Sequence, residues 1–281
     1  MKAYPVTVLC AVMRVSRSGF YDYLKRWQSG NIGPSDDIVL TERLKKIFND
    51  SWGSYGSRRI LRQLKNEGYQ IGRYKVRRIM RQLGLKAKTP KRFKLTTDSN
   101  HSLPVAPNIL NRQFDVQQPD KVWTADISYV WTFEGWLYLA VVMDLSSRRI
   151  VGWKTSSRMK KQLVLDALAM AYWQRKPEKG LLHHSDRGSQ YASYEYQNQL
   201  KNYGMTASMS RKGNCWDNAP TERFFRSLKS ERLTACRFFT RSEAKNEILD
   251  YITFYNSIRL HSTLGYVSPM AYEKEQYLMV A

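Results

Sequence analysis

Residues 122–157 read VWTADISYVWTFEGWLYLAVVMDLSSRRIVGWKTSS, and here the spacing of apolar residues changes from the helical period of the preceding chain to an extended one. The runs VWTADISYVW (122–131), GWLYLAVVMDLSS (135–147) and RRIVGWKTSS (148–157) are rich in β-branched and aromatic residues, with polar or glycine-containing turns between them. That pattern predicts three consecutive hairpin-connected strands. Asp126 falls inside the first, where a carboxylate is costly unless it is paired or holds a metal.

Downstream, the spacing predicts a helix from about Lys160 to Gln174, a strand in GLLHHSD (180–186), and a helix near Ser193–Tyr203. A strand in MTASMSR (205–211), a helix containing Glu222 and a helical extension from about 240 follow. Hairpin strands followed by alternating helices and strands predict an α/β sheet with helices on its faces. Ribonuclease-H-like folds have this order, so residues 121–281 are expected to form such a catalytic domain.

Upstream, residues 1–85 read as an all-helical region. Residues 6–27 carry two short amphipathic stretches, one with Val8, Leu9, Val12 and Met13, the other with Phe20, Tyr21, Leu24 and Trp27. A helix from about Asp36 to Asn49 places Leu40, Leu44, Ile47 and Phe48 on one face. The segment SWGSYGSRRILRQLKNEGYQIGRYKVRRIMRQLGL (51–85) holds two short helices ending at Gly68 and Gly84, which matches a helix-turn-helix plan over about 57–84. Residues 86–120 have no sustained period and read as a basic, proline-containing linker, with 107–120 alternatively a structured extension of the catalytic domain.

The 281 residues carry a formal net charge of +22, and residues 1–100 hold 22 Lys and Arg against 7 Asp and Glu. Such an excess points to a polyanionic partner, with nucleic acid first. No run of 18 apolar residues exists, and Cys10, Cys215 and Cys236 are too scattered for a zinc site or disulfide framework. The chain reads as cytoplasmic. Candidate DNA contacts are Arg58, Arg59, Arg73, Lys75, Arg77, Arg78 and Arg81 in the helix-turn-helix, Lys91 and Arg92 in the linker, and Arg226 and Lys229 in the catalytic domain.

Asp186 ends the strand in LLHHSDRGSQY (181–191), and Glu222 lies in NCWDNAPTERFFRSLKSE (214–231). If their strands are neighbours, Asp126 and Asp186 meet at one point, and Glu222 approaches from a flanking helix. At 100° per residue Glu222, Arg226 and Lys229 share one helix face, and Phe224, Phe225 and Leu228 form another. Three clustered carboxylates repel one another unless cations neutralise them, and oxygen ligands with open positions suit Mg²⁺ or Mn²⁺. Two such ions about 4 Å apart can activate an attacking oxygen and stabilise a leaving one.

Taken singly, Asp186 also reads as a turn former and Glu222 as a helix-end carboxylate. Asp144 is an alternative ligand or a turn-fixing residue. Of His183 and His184, one should face the site by strand alternation, and His184 is the candidate for orienting a ligand or water; Asn218 is a supporting candidate at the base of the loop SRKGNCWDNAP (210–220). That loop reads as mobile, and its Trp216 either stacks on an unpaired base or plugs a hydrophobic gap. Rival readings are a non-catalytic DNA-binding regulator and a ribonuclease, although a recognition helix fits the major groove of B-form DNA better than that of A-form RNA.

The spans VWTADISYV, YLAVVMDLSSRRIVGW, HHSDRGSQYAS, SRKGNCWDNAPTERFFRSLKSE and YNSIRLHSTLGYVSP, with YGSRRILRQL and VRRIMRQLGL upstream, resemble transposases of insertion-sequence family three. The resemblance is to the second-reading-frame (orfB-type) product, within the DDE integrase superfamily, and covers nearly the whole chain. It implies a metal triad at Asp126, Asp186 and Glu222, a basic residue at Lys229, and Mg²⁺ or Mn²⁺, two ions, as cofactor. The implied chemistry is nicking by water to free a 3′-hydroxyl, then attack of that hydroxyl on another phosphodiester, with a circular intermediate. Implied partners are double-stranded DNA at element ends and target, further copies of the chain on DNA, and an upstream-frame product or fusion, all at the bacterial nucleoid. The chain shows no sustained heptads and begins MKAYPVTVLCAVM, as a separate downstream product would.

Overall fold

The computed structural model describes residues 5–28, 34–88 and 103–280. The chain divides into two compact units, Met1–Lys86 and Ala87–Ala281. In the first, α1 (Val6–Val12) and α2 (Arg17–Gln28) precede α3 (Pro34–Asp50), α4 (Ser57–Asn66) and α5 (Arg73–Gln82). Leu40, Leu44 and Ile47 of α3, Ile60 and Leu64 of α4, and Val76, Ile79 and Met80 of α5 are buried, at the three- and four-residue spacings of an inward helix face.

Both helices of the α4–α5 pair end in the same way. Gly68 and Gly84 have φ of +90° and +65°, and the next residues donate back into the last turn, Tyr69 N to Leu64 O and Leu85 N to Met80 O. Glycine supplies the left-handed conformation without a Cβ clash, so the chain reverses within a few residues. Val8, Leu9, Val12 and Met13 of the first helix are exposed.

The second unit is built on a five-stranded sheet with β1 (Val122–Thr132), β2 (Gly135–Asp144), β3 (Ile150–Ser156), β4 (Leu182–Ser185) and β5 (Thr206–Met209) in the order β3-β2-β1-β4-β5. β1, β2 and β3 pair antiparallel, while β4 pairs parallel with both β1 and β5. The helices are α6 (Lys161–Arg175), α7 (Ser189–Ala192), α8 (Tyr194–Asn202), α9 (Ala219–Leu228), α10 (Arg241–Ser257) and α11 (Pro269–Val280).

Trp123, Ala125, Ala140, Val142 and Val151 on the strands pack with Leu163, Val164, Ala167, Leu168 and Ala171 of α6 and with Tyr196 and Leu200 of α8 in one apolar cluster. The strands therefore alternate, and residues of the other parity, such as Thr124, belong to the face that meets α9. α9 buries Phe224, Phe225 and Leu228, as its 3.6-residue period requires, and Phe224 packs edge-on against Tyr255 of α10.

Residues 103–120 hold no helix or strand, yet they are tied to this unit. The amides of Ile109 and Leu110 donate to the Ser208 hydroxyl of β5 at 3.0 and 3.2 Å, Met209 N donates to Pro107 O, and Arg148 donates to Phe114 O. The second half of the stretch read as a linker is thus a packed strap. Its bonds go to scattered backbone and side-chain groups with no repeating ladder, which leaves no periodic signal in the sequence.

Gly152 of β3 marks the closest approach of sheet to helix: a Cβ there would lie 2.3 Å from Ala167 O and 2.7 Å from the Ala171 Cβ. Gly152→Ala should therefore force α6 outward and cost about 1–3 kcal/mol of stability, read as a lowered denaturant midpoint; an unchanged midpoint would refute this account of the packing.

Candidate active site

The parallel ladder between β1 and β4 pairs Thr124 with His184 and Ala125 with Ser185. One step further along both chains come Asp126 and Asp186, so the register sets the two carboxylates side by side on strands about 4.8 Å apart. Asp126 and Asp186 are half-buried, and Glu222 lies at the exposed rim of α9. Two side chains hold α9 to β1 at the residues just before Asp126. The Thr221 hydroxyl donates to the Thr124 hydroxyl at 2.7 Å, and the Asn218 amide donates to Ala125 O at 3.1 Å.

The electrostatics follow from this crowding. Burial, then Asp186, then Glu222 push the Asp126 carboxyl well above the usual carboxylate range, against the opposing pull of the Ile127 amide and Lys229. Burial and Asp186 likewise raise Glu222. Lys229, one residue past α9, holds its Nζ 5.0 Å over the Tyr129 ring. Burial lowers its ammonium to about 8, although Asp126 draws it back up.

Among the described residues, no three His, Cys, Asp or Glu side chains close around a single point. The donor chemistry nevertheless fits a hard divalent cation: three carboxylates supply oxygen only, and each raises the cost of ionising its neighbour until positive charge is added. Tyr191 of α7, which the sequence reading passed over, adds an orphaned polar atom to the same place. It is 1 % exposed and its hydroxyl has no hydrogen-bond partner among the described residues. Burial, Tyr196, Asp126 and Asp186 together hold its proton well above the ordinary tyrosine range.

His184 stands on the same face as Asp186, as alternation predicts, but both its ring nitrogens are engaged, Nδ1 with Ser208 Oγ at 2.9 Å and Nε2 with Ser210 Oγ at 3.1 Å. It ties β4 to β5 beneath the site, leaving neither nitrogen for water. Burial lowers it to about 4 and lowers His183, bonded to the Tyr196 hydroxyl, to about 3. Asp144 pairs with Trp123, three residues from Asp126 and on the opposite face of the sheet. It accepts from Asp120 N, Ser147 N and the Ser147 hydroxyl, and so fixes the turn.

The loop before α9, read as mobile, is anchored by Asp217. This buried carboxylate accepts from Arg211 N, Nε and Nη2, from Arg112 Nε and from Asn108 Nδ2, at 2.7–2.9 Å. The Arg211 side chain, despite the burial, holds its proton affinity far below the usual carboxylate range. Trp216 is 69 % exposed, so it plugs no gap. At the far end of α9, the buried Arg259 guanidinium donates to both Glu231 oxygens at 2.8 and 2.6 Å, and the Tyr251 hydroxyl donates to Glu231 at 2.8 Å. Neither Asp217 nor Arg259 carries a sequence signal that separates it from an ordinary surface charge.

Profiles of known families match three segments: an HTH-like domain over residues 34–93 and an integrase core domain over residues 116–215 and 222–277. The chain is 44% identical over 278 residues to the insertion element IS600 31 kDa protein of Shigella sonnei, covering 97% of this chain and 100% of that one. It is 39% identical to transposase InsF of insertion sequence IS3A of Escherichia coli (strain K12), covering 97% and 95%. The chain belongs to the IS3-type insertion-sequence transposases. Its relatives and its integrase core make it a DDE-type polynucleotidyl transferase. In a weaker likeness, the HTLV-2 integrase catalytic core domain in complex with magnesium aligns at 16% identity and a TM-score of 0.45, over 56% of this chain and 97% of that one.

In the transposase's N-terminal unit, Arg77, Arg78 and Arg81 are exposed along α5, as is Tyr74. Arg58 is exposed on α4, Arg59 lies 5.4 Å over the Tyr55 ring, and Arg73 donates to Ser57 Oγ. Lys75 instead pairs with Asp37 of α3 at 2.6 Å, a contact that only the packed helices create. Lys91 and Arg92 lie outside the described residues. Arg226 is exposed on α9, one turn from Glu222.

In this transposase, Asp217→Asn removes a charge from charge-assisted bonds and should cost about 1.5–3 kcal/mol. Because the folded-state carboxyl is depressed, the wild-type advantage is full above the unfolded value of about 4 and shrinks as pH falls below it. Denaturant melts of both proteins across acid pH check this; a gap that stays constant to low pH would refute it.

Proposed function

We propose that Asp126, Asp186 and Glu222 are the ligands through which this transposase holds two Mg²⁺ or Mn²⁺ ions at the scissile phosphodiester. The observation that carries the reading is the parallel register, which sets Asp126 beside Asp186, with the helix bearing Glu222 tied to the same strand at Thr124 and Ala125. When bound, such ions supply Lewis-acid stabilisation of the attacking and leaving oxygens. A water oxygen forms a bond to phosphorus while the bond to the leaving 3′ oxygen breaks; that oxygen takes a proton to become the free 3′-hydroxyl. In the second step the 3′-hydroxyl forms the new bond and loses its proton, and a second phosphodiester releases its own 3′ oxygen.

The chain's own groups divide this work. Thr221 and Asn218 hold the Glu222 helix at a constant height over Asp126. Lys229 and Arg226 present positive charge to the phosphate backbone. The arginines of α4 and α5 hold duplex DNA. Joining two ends takes at least two DNA-bound copies or sites. No helix among the described residues is long and apolar enough to cross a membrane.

Asp126→Asn should abolish nicking and joining of terminal-repeat duplexes in Mn²⁺ while leaving their affinity unchanged in a gel-shift titration. Full metal-dependent strand transfer by this variant would sink the assignment. For the N-terminal unit, Arg78→Ala should lower the slope of log affinity against log salt by about 1, the loss of one phosphate contact. Lys75→Ala should leave the slope unchanged, since Asp37 already neutralises Lys75; equal effects of the two would refute this division.

A further inference from the structure

Trp216 is 69% exposed in the loop that leads into the Glu222 helix, and the mechanism above makes no use of it. A single exposed apolar side chain is ordinary on a protein surface. What sets Trp216 apart is the hydrogen bonding of its support. The indole rises from a short 3₁₀ turn, Cys215–Asn218, and the backbone is held on both sides of it. Before it, the Asn214 side chain accepts from Trp216 N at 3.2 Å and from Arg112 at 2.9 Å. After it, Asp217 is clamped by Arg211, Arg112 and Asn108, and Asn218 is bonded to Ala125 O.

This support also bounds how far the Trp216 backbone lies from β1. Asn218 bonds the residue directly before Asp126, and Trp216 is two Cα steps from Asn218, at most about 7.6 Å. The guanidiniums that clamp the neighbouring Asp217, Arg112 and Arg211, remain 44% and 47% exposed, so the same loop offers cations that a phosphate backbone would approach. An exposed, pre-ordered π face beside cations and a phosphodiester-cleaving centre fits one ligand chemistry, a nucleobase out of its stack. Stacking on an aromatic face is indifferent to base identity and offsets the cost of unpairing.

We propose that Trp216 is a stacking platform for one unpaired base at the DNA junction being cut. The proposal rests on the active-site reading above, because that reading puts the junction next to Asp126. Its consequence is that strand separation at the element end is assisted from the protein side, by a group that contacts a base and not a phosphate.

The test is a binding titration of the full chain in EDTA, where no cleavage occurs, with duplexes carrying the terminal repeats that flank its gene and the adjoining donor sequence. At each position around the junction two probes are compared, one with a mismatched base and one with an abasic site; both lack the pair, but only the first offers a base to stack. The wild-type chain should bind the mismatched probe on the order of tenfold more tightly at one position. Trp216→Ala should erase that difference, Trp216→Phe should keep most of it, and the melting temperature should be unchanged in both variants. No difference at any position in the wild type, a difference that survives in Trp216→Ala, or an equal loss on both probes would each overturn the proposal. Binding without metal does not depend on the carboxylates, so this result is independent of the Asp126→Asn assay that tests the active-site reading.

Discussion

Two carboxylates set side by side on parallel strands repel each other, and much of the second unit is arranged around keeping them there. Burial, Asp186 and Glu222 all oppose ionisation of Asp126, so electrostatics alone would drive this cluster apart. The Ile127 amide and Lys229 pull the other way, and neutral contacts fix the helix. Thr124 and Ala125 anchor α9 through Thr221 and Asn218, and Phe224, Phe225 and Leu228 bury the opposite side of the same helix. Hydrogen bonds and apolar burial thus hold the helix in place, and the clustered carboxylates remain oxygen donors suited to a hard cation.

The charged clamps lie on either side of this pocket. On one, Asp217 gathers two arginines and an asparagine and so fixes the loop that leads into α9. On the other, Arg259 and Tyr251 hold Glu231 in the turn that follows Lys229. In both clamps the carboxylate is taken up by guanidinium groups, so neither carboxylate is left to compete with the site for a metal. They also fix the two ends of the segment that carries Trp216, Glu222 and Lys229, which makes the position of each of these depend on α10 and on the strap 103–120.

Much of the fold was legible from period alone. The three antiparallel strands and the helices after them lie within a few residues of where the alternation of apolar and polar residues puts them. The helix-turn-helix is marked by Gly68 and Gly84, whose left-handed backbone only glycine adopts cheaply. Local signals such as these survive in a single sequence because each depends on neighbours three or four residues away. The strap 103–120, the engagement of both His184 nitrogens and the pairing of Lys75 with Asp37 do not, since every one of them is a contact between residues far apart in the chain.

The same division runs through the candidate site. The sequence by itself determined the supply of groups: a carboxylate inside an aromatic strand, a second at a strand end, a third on an amphipathic helix, and a strongly basic chain. Only the tertiary structure decided which of them meet. The β1–β4 register selected Asp126 and Asp186 and sent Asp144 to the opposite face, because a strand's side chains alternate and a pairing offset of one residue exchanges the faces. It also showed Trp216 standing exposed on a turn that is bonded to Asn108 and Arg112, more than a hundred residues away along the chain.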